Sequence, residues 1–273
     1  MFYMSSPRRR RDRLFETVVF VLALAWPATG YCACATPVLN PADRGGSAAW
    51  ADIERFEAQA SLNSKIGRVQ SLTTTGYGAL NTDYYSITID ATWLDDSKEG
   101  MTFVHETPRS MTKFLRDNLS ELIFSGSAYQ FGAYDGQEQA RWQTGVIGSL
   151  ASFTLARIPG LFDLERGSVV LSCLSESNWI FSTVETPKDE LHPVSGNRAF
   201  GVVDDGKGGL VIWTKAADRI VNAGRFALLP QAGRELLFEQ GHQVWVGMLD
   251  RITSRFPDRN PRDRVQVLVR RPY

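Results

Sequence analysis

The stretch Leu191 to Arg219, LHPVSGNRAFGVVDDGKGGLVIWTKAADR, holds the densest set of side chains able to do chemistry: His192, Ser195, Asn197, Arg198, Lys215, Asp218 and Arg219. A histidine beside a carboxylate or hydroxyl is the minimum for general acid–base work, and paired arginines are the usual clamp for an anion. On that reading His192 with Ser195 or Asp218 moves a proton, while Arg198 and Arg219 bind an anionic group. The same residues have a plainer use. An Arg198–Asp218 ion pair could tie the base of a hairpin, with His192 capping a turn, and such pairs often have little functional consequence.

Both uses require a hairpin to position the residues. Pro193 biases His192 away from helix, and Ser195-Gly196-Asn197 is a turn signature. Arg198, Phe200 and Val202 then alternate with Ala199, Gly201 and Val203, the polar loop Asp204 to Gly209 follows, and Leu210 to Thr214 resumes strand composition. Pairing about that loop brings Arg198 close to Lys215 and Asp218, just past the end of the second strand. His192 and Arg219 fall on the same rim.

The string HPVSGNRxFG, followed after a Gly-rich hairpin by T-x-x-x-D-R (Thr214 to Arg219) and an amphipathic helix, resembles an uncharacterised module near the C-terminal ends of bacterial Rhs-type and other polymorphic-toxin-like proteins. The resemblance spans His192 to Phe256. It departs from the module at Trp213, Lys215 and Ala217, where an aromatic followed by Thr, Arg and a Gly-Val pair is expected. It implies that His192, Arg198, Asp218 and Arg219 act as a unit and is silent on activity.

Other catalytic signatures are missing. Gly145 to Ala151 and Phe124 to Tyr129 place Ser beside Gly outside the G-x-S-x-G frame. His105, His192 and His242 lack the spaced partners of a zinc site, so no metal is expected. No dinucleotide or Walker pattern occurs, so no cofactor is expected; Gly206-Lys207-Gly208-Gly209 precedes a strand rather than the helix of a phosphate cradle. Asp204-Asp205 reads as a solvated loop, with weak calcium binding as its functional alternative.

The N-terminus carries a different message. Arg8 to Arg11 and Arg13 form a basic region, Thr17 to Trp26 an apolar one, and Ala33-Cys34-Ala35 a small-residue cleavage site. The apolar run is shorter than the roughly 20 residues of a spanning helix. Residues 1–35 therefore read as a signal peptide, residues 36–273 as one domain, and the location as periplasmic or secreted, with an uncleaved membrane anchor as the alternative and no transmembrane segment after cleavage. Removing five Arg, Asp12 and Glu16 from 30 basic and 30 acidic residues leaves a net charge of −3, which argues against a nucleic-acid binder despite the Arg-rich end. A cut after Ala35 also leaves Cys173 alone, without an intramolecular disulfide, as a small buried hydrophobe sharing a face with Val169 and Leu171.

Periodicity gives an α+β fold: mainly an antiparallel sheet meander with a long amphipathic C-terminal helix packed on it. Helices are expected at Ala48 to Gln59, Ser110 to Phe124 and Gly233 to Phe256. The last repeats Leu237, Gly241, Val244, Met248, Ile252 and Phe256. Strands are expected at Ser71 to Tyr77, Tyr84 to Trp93 (half-buried), Met101 to His105, Ala128 to Tyr134, Gln139 to Leu155 (two strands), Val169 to Leu174, Trp179 to Glu185 and Val265 to Val269, with a turn at Asp95 to Gly100. Three functions fit: a non-catalytic exported module binding a small apolar or anionic ligand between sheet and helix; a hydrolase or transferase using His192, Asp218 and an Arg clamp; or an envelope or effector-associated partner of another protein.

Overall fold

A computed structural model describes residues 34–35, 48–59, 65–95, 102–123, 130–155 and 165–273. The basic and apolar runs of the N-terminus, and all of the expected Asp95 to Gly100 turn except Asp95, lie outside the described residues. In chain order the elements are α1 (Ala48–Glu54), β1 (Arg68–Val69), β2 (Gly76–Asp90), β3 (Thr92–Asp95), β4 (Thr102–His105), α2 (Pro108–Asp117), α3 (Leu119–Ile123), β5 (Gln130–Ala133), α4 (Gly136–Thr144), β6 (Leu150–Leu155), β7 (Glu165–Leu174), β8 (Asn178–Glu185), β9 (Val194–Asp204), β10 (Gly209–Val221), α5 (Gln231–Arg255) and β11 (Arg262–Arg271).

The fold is α+β. Among the described residues nine strands make one sheet in the order β11-β2-β10-β9-β8-β7-β6-β5, with β1 paired to β8, while β3 and β4 form a separate hairpin. Strands β5 to β10 run as an antiparallel meander, and β2 then pairs with β10 over a long sequence separation, with β11 outside it. The loop between β9 and β10 turns because Gly206 and Gly208 take positive φ of 71° and 87°. Its acids are used by the turn itself: Asp205 Oδ1 accepts from the Lys207 and Gly209 amides at 2.7 and 2.8 Å.

Both faces of the sheet are covered. Even-numbered residues of β9 and β10 (Phe200, Val202, Leu210, Ile212) join odd-numbered Tyr85, Ile87 and Ile89 of β2 in a core beneath α5, with Val244, Trp245, Met248, Leu249 and Ile252. The opposite parity, including Leu80, Tyr84, Ala199, Trp213 and Ala217, packs against Trp50 and Ile53 of α1. Strand β2 is therefore buried on both sides, with Ser86 and Thr88 only 3 and 4% exposed, where alternation alone implied one wet face.

Three local expectations change. The Gln139 to Leu155 run is helix then strand: Asp135 Oδ1 caps the Gln137 and Glu138 amides at 2.9 and 3.0 Å, and left-handed Gly145 ends α4, leaving only Leu150–Leu155 extended. The Ser110 to Phe124 helix is broken at Asn118, which donates its side-chain amide to the Phe114 carbonyl at 2.8 Å. Ser71 to Thr75 is a turn closed by hydrogen bonds from the Thr75 and Gly76 amides to the Ser71 carbonyl, and the strand begins at Gly76.

The reading of Cys173 as a lone buried thiol is overturned. Cys173 is disulfide-bonded to Cys34, 139 residues away. A register shift between Leu171 and Cys173 explains why alternation misplaced it: Val169 and Leu171 face the α5 core, while the bulge turns Cys173 into the α1 core where Cys34 lies. Cys34 and Ala35 are buried there, and Asn178 donates to the Ala35 carbonyl at 3.3 Å, so a cut after Ala35 is incompatible with this bond.

Closing so long a loop restricts the unfolded chain. Cys173→Ser should lower unfolding free energy by about 2 to 5 kcal/mol. Chemical denaturation with and without reductant checks it: reductant should destabilise the parent and leave Cys173→Ser unchanged. Equal effects on both would contradict the bond.

Candidate functional site

Helix α5 packs unevenly along its 25 residues. Its second half closes the core through Val244, Trp245, Met248, Leu249 and Ile252, whereas Leu237, Phe238, Gln240 and Gly241 of its first half line a cavity of about 140 Å³ over the sheet. Gly241 helps keep that space open, because a Cβ built there meets no atom within 4 Å. The apolar walls are Phe153, Val169, Phe181, Phe200 and Trp245.

A polar cluster is set into these walls by strand parity. Asn81 and Asp83 precede Tyr85 and Ile87 on the same face of β2; Arg198 precedes Phe200 on β9; Asp218 follows Ile212 at even spacing on β10. Arg198 Nη2 donates to Asp83 Oδ2 at 2.8 Å and Nη1 to Thr214 Oγ1 at 3.3 Å, and its guanidinium stacks 4.0 Å from the Trp245 ring centroid. Asn81 Nδ2 bridges Asp83 Oδ2 and Asp218 Oδ1, each at 3.3 Å. Burial, then the neighbouring Asp83 charge, pushes the Asp218 carboxyl up to about 7 against the pull of Arg198.

The sequence-predicted residues divide between two faces. Arg198 and Asp218 share the cavity, but the partner of Arg198 is Asp83. His192 also lines the cavity. Its backbone is clamped by Gln70, which donates to the His192 carbonyl at 2.9 Å and accepts from its amide at 2.8 Å. The ring packs against Gly167, where an added Cβ would come within 2.3 Å of it, and Nδ1 lies 3.0 Å from the Val194 carbonyl. Burial holds this imidazole down at about 4, so it is neutral at physiological pH. Among the described residues no hydrogen bond joins it to Asp218 or Ser195.

Ser195, Lys215 and Arg219 belong to the other parity. Lys215 Nζ reaches Asp52 of α1 at 2.8 Å and the Ala49 carbonyl at 3.1 Å, and burial lowers its pKa. Ser195 accepts from Thr75 at 2.8 Å. Arg219 donates to the Leu72 and Gly78 carbonyls at 2.8 and 3.1 Å and stacks on Tyr273. These three hold loops and α1 to the sheet, so the two-arginine clamp is not assembled. Asn81, Asp83 and Trp245 were missed. Extending the Tyr85-Ile87-Ile89 alternation backward would have placed both β2 residues on the core face.

No family model matches the chain, and no curated protein matches it significantly. Solved structures share parts of the fold at low similarity. Ara h 8.0201 aligns over 63% of this chain and 99% of its own, at 12% identity and a TM-score of 0.35. Norcoclaurine synthase from Thalictrum flavum, in complex with dopamine and hydroxybenzaldehyde, aligns over 64 and 94%, at 14% identity and 0.32. Human STARD10 aligns over 60 and 76%, at 12% identity and 0.31. Among the described residues no helix is long and apolar enough to cross a membrane.

The two titrations oppose one another. Asp218, raised from 3.8 to about 7, binds a proton in the folded state that the unfolded chain has lost, so its contribution falls as pH rises between those values. His192, lowered from 6.5 to about 4, stays neutral when folded, so its contribution rises with pH over that window. Relative to the parent, Asp218→Asn should therefore gain stability progressively from about pH 4 to 7, and His192→Gln should lose its rising component between about pH 4 and 6.5. Urea unfolding across that range gives the difference curves; flat curves would contradict both assignments.

Proposed function

We propose that this is an exported module that binds a small molecule with an apolar, aromatic-compatible body in the cavity under the first half of α5. The observation that carries the reading is that α5 spans this space with Gly241 instead of filling it, over walls of Phe181, Phe200 and Trp245 and one polar cluster. Well-packed interiors leave few voids larger than a water molecule. A catalytic role for His192 has no support from its neighbours, since it is neutral and its Nδ1 faces a backbone carbonyl. A second reading rests on Asp218, a cavity-lining carboxyl near neutral pKa and so suited to general acid–base transfer. Its partners would be substrate atoms rather than the histidine.

Export is supported by the basic and apolar N-terminal runs and by the Cys34–Cys173 disulfide, which suits an oxidising compartment. Cleavage then falls upstream of Cys34. Mass spectrometry of periplasmic or secreted material should show a mature chain that retains Cys34; a start at Thr36 would contradict this.

The cavity is tested with neutral aromatics of its size, indole and benzyl alcohol. Each should stabilise the parent by about 1.4 kcal/mol at ten times its Kd, rising logarithmically with concentration. Gly241→Phe should still unfold cooperatively and lose this response. Absence of stabilisation by either compound, or an equal response in both proteins, would overturn the reading.

A further inference from the structure

Resting on that cavity as a binding site, we infer that its ligand carries a protonated amine, or an equivalent cationic hydrogen-bond donor, which docks on Asn81, Asp83 and Asp218. The first support is an imbalance of hydrogen-bonding groups. Asn81 Oδ1 and Asp83 Oδ1 are buried and have no hydrogen-bond partner, on residues only 4 and 5% exposed that line the cavity. Both atoms are acceptors. The Asn81 amide is oriented by its Nδ2, which is shared between the two carboxylates, so its oxygen is left without a donor. A buried acceptor without a donor keeps an unrecovered desolvation cost, which a donor-bearing ligand removes.

The second support is charge. Two carboxylates face one guanidinium, and that guanidinium is already committed: one nitrogen to Asp83, another to Thr214, its face to Trp245. Little of Arg198 is left for an anion. Arg270 also acts on Asp218, but it lies against Phe238 and is exposed, so water and salt screen it. An ammonium group offers three donors and one positive charge to a cluster with two unpartnered acceptors and two carboxylates, with the apolar remainder against the aromatic walls. A carboxylate in the same place would meet two like charges and satisfy neither orphan acceptor.

The test uses the disulfide-intact protein and three probes of one shape: benzylammonium, benzyl alcohol and benzoate, titrated calorimetrically at about pH 8, where the amine remains protonated and Asp218 is ionised. Benzylammonium should bind about tenfold or more tightly than benzyl alcohol, and benzoate most weakly. Asp218→Asn should cut benzylammonium affinity about tenfold and benzyl alcohol affinity far less, with cooperative urea unfolding showing that the variant is folded. Equal affinities for amine and alcohol, or an Asp218→Asn variant that binds both as the parent does, would overturn the head-group assignment and leave the cavity reading intact. Tightest binding of benzoate would replace it with an anion site. Failure of all three probes would overturn both readings.

Discussion

The Arg198 guanidinium is held between the Trp245 ring and the Asp83 carboxylate, and through it β9, β2 and α5 meet at one point. Its position settles the character of the cavity. Without that positive charge, Asp83 and Asp218 would be two acids bridged only by an asparagine amide in a largely apolar space. With it, Asp83 is compensated directly while Asp218 is compensated at longer range, and the burden of burial falls on Asp218. The stacking on Trp245 also marks where α5 changes role. From Val244 onward the helix closes the core, and before it Leu237, Phe238 and Gly241 border the cavity.

Strand parity separates the cavity cluster from the side chains that anchor α1 and the loops. Residues one apart on β10 serve opposite faces: Asp218 enters the cavity, while Arg219 secures the 72–78 turn and Lys215 grips α1 through Asp52. The second face is reinforced by the Cys34–Cys173 bond, which holds Cys34 and Ala35 in the core beneath α1. A sheet buried on both sides is a rigid floor, and a site built from β2, β9 and β10 inherits that rigidity.

The architecture was largely legible because its strongest elements obey simple periods. The meander, the β9–β10 hairpin and α5 follow from alternation and from helical spacing. The failures have local causes. Asp135 and Gly145 cap a helix in a stretch rich enough in Ala, Val and Phe nearby to suggest strands, and one bulge before Cys173 reversed its face. For the site, density of polar residues in Leu191 to Arg219 found Arg198, Asp218 and His192 but could not sort them from Ser195, Lys215 and Arg219. Parity with Phe200, Ile212 and Trp213 sorts them. Asp83 pairs with Arg198 across 115 positions, and its buried face is visible only when the Tyr85-Ile87-Ile89 alternation is carried backward.

The most direct measurement is a crystal soaked with 4-bromobenzyl alcohol and read by the anomalous scattering of bromine, which locates the ring independently of how the density is interpreted. The account predicts a bromine peak in the space bounded by Phe181, Phe200, Gly241 and Trp245, with the hydroxyl toward Asn81 and Asp83. A peak elsewhere, or α5 side chains collapsed into that space, would contradict it.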